Sequence, residues 1–246
     1  MNTIIQCYRE QREKLMNKWE KECRDWLEHE NGEQITATFF KDGIIDPDVW
    51  YQNEFRPLFI IKEVHDTAQE NRCIDFVAMQ NGKDYDIWEG RGMWRALGAL
   101  AQGIISSMEL AGKVLPYEML YQADLSEYHK ALRRIAIINI KKLSGGNRVG
   151  SDTSIQTKHF TCHACKFKEY LQSQINLIDP SIIVCCGADM KSCFELRDNR
   201  LFGFPVVFGL HPATNPNRRR NAFYNETINK IYQIHKSNYD SHKKCF

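Results

Sequence analysis

The apolar and polar positions along the chain fall into two alternating periods. Over residues 4–30, Ile5, Tyr8, Leu15, Trp19, Cys23 and Trp26 lie near one face, with Arg, Lys and Glu between them. This spacing predicts one amphipathic helix, and Asn31-Gly32 predicts its stop. Residues 42–57 read as a loop, with Asp42-Gly43 and Asp46-Pro47 as turn signals. Continuous apolar runs then occur at 58–61, 135–140, 181–187 and 205–210. Short runs without alternation suit strands buried on both faces. Helical spacing separates them. It covers 90–111 (Met93, Leu97, Leu100, Ile104, Met108), more weakly 117–134, then 160–178 (Phe167, Leu171, Ile175, Ile178) up to Asp179-Pro180. A short helix follows the third strand, and 218–236 carries Tyr224, Ile228 and Ile231 on one face.

Strands alternating with helices predict an α/β fold: a three-layer α/β/α sandwich around a mainly parallel four-stranded sheet. The organisation expected is one domain, with an N-terminal helical extension over 1–54 and a core over 55–236. Such sheets bind ligands at the carboxyl ends of their strands, so the residues that follow each strand matter most. The first strand runs into Lys62-Glu63-Val64-His65-Asp66. The second contains Asn139 and continues into Lys141, Lys142, Ser144 and Gly145-Gly146. The last ends in His211-Pro212-Ala213, with Arg218, Arg219 and Arg220 opening the next helix.

These residue types have a common chemistry. A carboxylate such as Glu63 or Asp66 can stabilise an oxocarbenium-like cation or activate water. An imidazole such as His65 or His211 can hydrogen-bond a departing base or a phosphate. The one acceptor and two donors of Asn139 can read the edge of a base. Lysines beside a Gly-rich turn can hold a phosphate. Three arginines at a helix N-terminus oppose its dipole unless an anion is near. Taken singly, each segment also reads as a solvated loop, a structural Asn or an ordinary turn.

Composition narrows the options. With 43% apolar and 26% charged residues in 246, the chain is too apolar for disorder. Lys and Arg total 33 against 31 Asp and Glu, a net of +2, which argues against coating nucleic acid by bulk charge. The distribution is uneven, however. Residues 130–148 hold six Lys or Arg and no acid, and residues 211–246 hold seven against two. No apolar run approaches the ~18 residues of a membrane helix, and the start lacks a signal-peptide pattern, so a cytoplasmic protein is expected. Nine cysteines, an odd number with Cys185 and Cys186 adjacent, suggest reduced thiols. Cys162-His163-Ala164-Cys165 has metal-ligand spacing but no second Cys-x-x-Cys, and no metal is expected there.

Together, the segments 58–66, 135–146, 175–187 and 206–213 resemble the uracil-DNA glycosylase-like superfamily, over roughly residues 55–236. In that family a first strand ends in the catalytic motif. A middle strand in several branches carries a base-reading Asn, and a last strand ends in His-Pro-Ser or a relative. Here Lys62 stands at the usual Gly, Val64 at the catalytic Asp of the best-known branch, and His65 where Pro is common. Glu63 matches branches with Glu directly after the Gly. Ala213 replaces Ser, and the apolar wedge that follows it in the best-known branch is missing.

The resemblance implies a monofunctional DNA glycosylase acting on a flipped-out base, without a cofactor and as a monomer. Glu63 would be the carboxylate, Asp66 its reserve, and His211 the residue at the leaving base or phosphate. Asn139 and His65 would contact the base, with Phe76 or Tyr85 stacking on it. Lys62, Lys141, Lys142, Ser144, Arg218, Arg219 and Arg220 would grip DNA. The departures point away from uracil and toward a divergent branch, such as antiphage enzymes that remove glucosylated hydroxymethylcytosine. Three other readings fit the same residues: a repair glycosylase for uracil or damaged bases, a non-catalytic nucleic-acid or nucleotide binding module, and a hydrolase of free nucleosides.

Overall fold

The computed structural model describes residues 2–243 apart from 33, 36, 64–91, 145–157, 195, 197 and 210–218. The elements in chain order are α1 (Asn2–Asn31), β1 (Gly43–Ile44), α2 (Pro47–Trp50), β2 (Pro57–Glu63), α3 (Gly92–Glu109), α4 (Tyr117–Tyr121) and α5 (Leu125–Arg133). They continue with β3 (Ala136–Lys141), α6 (Phe160–Lys166), α7 (Lys168–Ile178), β4 (Ile182–Cys186), a 3-10 turn (Ala188–Cys193), β5 (Arg200–Leu201), β6 (Phe204–Gly209) and α8 (Arg219–Lys243).

The strands form one mixed sheet in the order β1-β3-β2-β4-β6-β5. β3, β2, β4 and β6 pair in parallel, and β1 and β5 add antiparallel edges. The expected four-stranded sheet is therefore six-stranded among the described residues. Strands of two residues are too short to leave a periodic signal.

Period-two alternation sorts each apolar run between two cores. Phe59, Ile61, Ile137, Val184 and Val207 face a cluster with Leu97 and Ile104 of α3, Leu132 of α5 and Ile228 of α8. Leu58, Ile60, Ile138, Ile183 and Val206 face a second cluster with Trp19 and Leu27 of α1, Phe160 of α6 and Ile175 of α7. Helices thus cover both faces. The N-terminal helix packs onto the sheet. Met16, Trp19, Cys23 and Leu27 are fully buried and form part of one layer. The helix expected over 160–178 breaks at Phe167, whose ring lies 5.4 Å from that of Trp26 and 6.2 Å from that of Trp19. Tertiary packing of one aromatic overrides a continuous helical pattern there.

The loop expected over 42–57 contains β1 and α2. Asp46 caps α2, accepting from the amides of Asp48 and Val49, and Pro47 opens it. No helix among the described residues is long and apolar enough to cross a membrane.

Candidate functional site

After β2 the chain adds β3 on one side, then returns to add β4 on the other. This reversal is a switch point, and the carboxyl ends of β2 and β4 border it. Register aligns the edge: Ile61 pairs with Asn139, Glu63 with Lys141, and Cys186 with Gly209. Gly187 leaves β4 at φ +145 and donates its amide to Gly209 O at 2.8 Å. Only glycine takes this backbone conformation readily. Lys62 is half-buried, with its ammonium 5.3 Å from the centre of the Phe160 ring.

Glu63 closes β2, and Arg219 and Arg220 open α8. His65, Asp66, Phe76, Tyr85, His211 and Arg218 lie outside the described residues. Of the expected site, the described residues therefore bring together Lys62, Glu63, Asn139 and Lys141 at one edge.

The densest chemistry at that edge surrounds Asp42, which the sequence marks only as a turn residue. Asp42 and Lys142 both have side-chain exposures of 0%, and they form an ion pair between Lys142 Nζ and Asp42 Oδ1. Gln174 Nε2 donates to the same oxygen at 2.8 Å. Asp42 Oδ2 accepts from Asn139 N at 2.7 Å and from Asn139 Nδ2 at 3.0 Å. The Lys142 ammonium also sits 4.9 Å from the centre of the Trp19 ring. Desolvation pushes the Lys142 amine down to about 8, although the Asp42 charge pulls it up.

No known protein family matches this chain. Curated proteins likewise offer no significant match.

Burial corrects part of the expected DNA contact set. Lys142 is sealed inside an ion pair, and Lys141 is 1% exposed. Ser144 is buried, and its Oγ accepts from Thr38 N at 3.0 Å. These groups are both buried and engaged inside the protein, which withholds them from a phosphate, whereas the equally buried Oδ1 of Asn139 has no partner among the described residues. The basic run before β3 also changes meaning. Lys130 pairs with Glu127, Arg133 with Asp46 and Arg134 with Glu109. All three belong to α5 or its C-terminal cap, at the amino end of β3 and away from the switch point.

Sequence reading missed Asp42 and Gln174. Gln174 did leave a signal: it falls three residues after Leu171 and four before Ile178, on the apolar stripe of its helix. A polar residue on a buried stripe needs partners. Asp42 left none, because Asp-Gly is an ordinary turn pair.

Among the described residues, no group of three or more His, Cys, Asp or Glu gathers as a metal site requires. His163 turns inward, with Nδ1 3.9 Å from Cys23 Sγ, while Cys162 and Cys165 are exposed. Burial pushes the Cys23 thiol up to about 12, so it is neutral near pH 7.

Proposed function

We propose that this chain is a monofunctional DNA glycosylase with a uracil-DNA glycosylase-like fold. The observation that carries this reading is the alignment of β2 with β3. A carboxylate position, Glu63, and an amide, Asn139, stand on adjacent parallel strands within two residues of each other's register, beside the switch point. The parallel order β3-β2-β4-β6 also supports it.

In this reading a modified nucleotide is flipped out of the stack to the strand ends. The C1′–N bond breaks as the sugar takes on cationic character, which the Glu63 carboxylate stabilises. Water adds to C1′ and loses a proton. The base leaves with the bonding electron pair, aided by a hydrogen bond from His211. The products are a free base and an abasic site, and no cofactor takes part. Asn139 contacts the base edge. Lys62 and Arg218 to Arg220 serve as backbone contacts, while Lys141, Lys142 and Ser144 are buried and do not take part.

The test is base release from duplexes carrying uracil, hypoxanthine or glucosylated hydroxymethylcytosine, followed by mass spectrometry. Release of the last alone would favour the antiphage branch. Glu63→Gln is expected to lower the rate by about 10²- to 10⁴-fold. Tight DNA binding with no abasic product on any substrate would sink the enzymatic reading.

A further inference from the structure

We propose that Asp42 is a positioning residue for Asn139, fixing its carboxamide so that Oδ1 is held ready as an acceptor for an N–H donor of the bound heterocycle. The glycosylase reading is assumed here for the identity of the ligand, but not for the positioning itself.

The orientation follows from chemistry. An ionised carboxylate only accepts, so the atom of Asn139 that meets Asp42 Oδ2 must be the nitrogen. The same oxygen takes the Asn139 backbone amide at 2.7 Å, so strand and side chain are fixed by one atom. Asp42 Oδ1 takes Lys142 Nζ and Gln174 Nε2. Four donors, two on each oxygen, fill the acceptor capacity of the carboxylate. Any rotation of the carboxylate short of the equivalent half-turn would break some of them.

Asp42 is anchored in turn. Its carbonyl accepts from Arg12 Nε at 3.1 Å and from Gln174 Nε2 at 3.0 Å. Gly43 follows at φ +152, where a Cβ would come within 2.6 Å of Tyr8 Oη. That hydroxyl accepts the Ile44 amide at 2.9 Å.

The result is an unfilled acceptor. Asn139 is 1% exposed, and its Oδ1 has no hydrogen-bond partner among the described residues. Buried carboxamide oxygens are normally satisfied. Gln174 Oε1 is also unpartnered among the described residues, but Gln174 comes from α7, which packs beside α1. Asn139 is the one of the two on the parallel sheet, where β3 pairs with β2 two residues before Glu63 and Lys141. Because Asp42 occupies one N–H of Asn139, the side chain favours a ligand edge led by a donor.

The experiment has two arms on the full chain. In the first, the Asn139 side-chain amide signal is assigned by ¹⁵N NMR from its loss in Asn139→Ala. It is then followed in Asp42→Asn/Lys142→Met, which removes both buried charges together, and in Gln174→Leu, which keeps both. A displaced or broadened signal in either variant is expected. An unchanged signal in folded variants overturns the positioning role.

In the second arm, base release is compared between each substrate base and its counterpart methylated at the edge N–H. Wild type is expected to discriminate by at least about tenfold, and Asp42→Asn/Lys142→Met by less than about threefold. Equal discrimination in both overturns the inference. If wild type releases no base at all, the glycosylase reading fails, and the NMR arm alone decides the role of Asp42.

Discussion

Lys142 shows how far one residue's chemistry depends on what encloses it. It follows the β3 strand end where a phosphate contact would be expected, yet its ammonium has no exposed surface. Replacing it by Met leaves the Asp42 carboxylate buried without its counter-ion, and the expected cost is about 3–5 kcal/mol by urea denaturation. The pH dependence has a defined sign. The folded amine holds its proton only up to about 8, against an ordinary value of 10.5. Between these values the unfolded chain binds more protons, so stability from this group rises with pH. Tyr8 acts the other way, since burial pushes its phenol up to about 12 and the unfolded chain loses that proton near 10. Buried Cys23 and Cys186, pushed from 9.0 to about 12, also oppose the rise above pH 9. The Lys142 contribution is therefore read as a difference: between about pH 8 and 10.5, wild type should gain stability relative to Lys142→Met, measured by urea denaturation.

At the scale of elements, helix α1 is a structural layer. Trp19 is 1% exposed and stacks on Tyr170 at 5.5 Å, so Trp19→Ala should cost about 3–5 kcal/mol. The opposite face depends on a close approach of α3 and α8. A Cβ at Gly103 would collide with Tyr224 Oη and come within 2.7 Å of Ile228 Cδ1. Gly103→Ala should destabilise by about 1–3 kcal/mol, despite the gain in helix propensity, as read from the shift in denaturation midpoint. The apolar runs of β2, β3, β4 and β6 were legible because a strand covered on both sides needs no polar position. The edge strands β1 and β5, and the break at Phe167, were not. Two-residue pairing and a single packed ring leave no periodicity.

At the scale of the molecule, charge placement matters more than net charge. Residues 130–148 hold six Lys or Arg and no acid. Lys130, Arg133 and Arg134 pair with acids at the amino end of β3, while Lys141 and Lys142 are buried. Arg133→Ala and Arg134→Ala should leave DNA affinity and its salt dependence unchanged. Arg219→Ala and Arg220→Ala at the start of α8 should each lower the slope of log K against log salt by about 0.9. A titration series across salt concentrations measures both. A slope that responds to Arg133 and ignores Arg219 would place the DNA on the opposite edge.

Local pattern by itself determined the α/β alternation, the four parallel strands' positions, and the gathering of Glu63 and Asn139 near strand ends. These follow from periodicity and from the rule that such strands end on one edge. Only the tertiary structure decided which polar residues face one another. Asp42, Asn139, Lys142 and Gln174 are separated by up to 132 residues in sequence, yet they share one carboxylate. Their partnership depends on desolvation and on hydrogen-bond capacity in three dimensions, and no linear spacing encodes either.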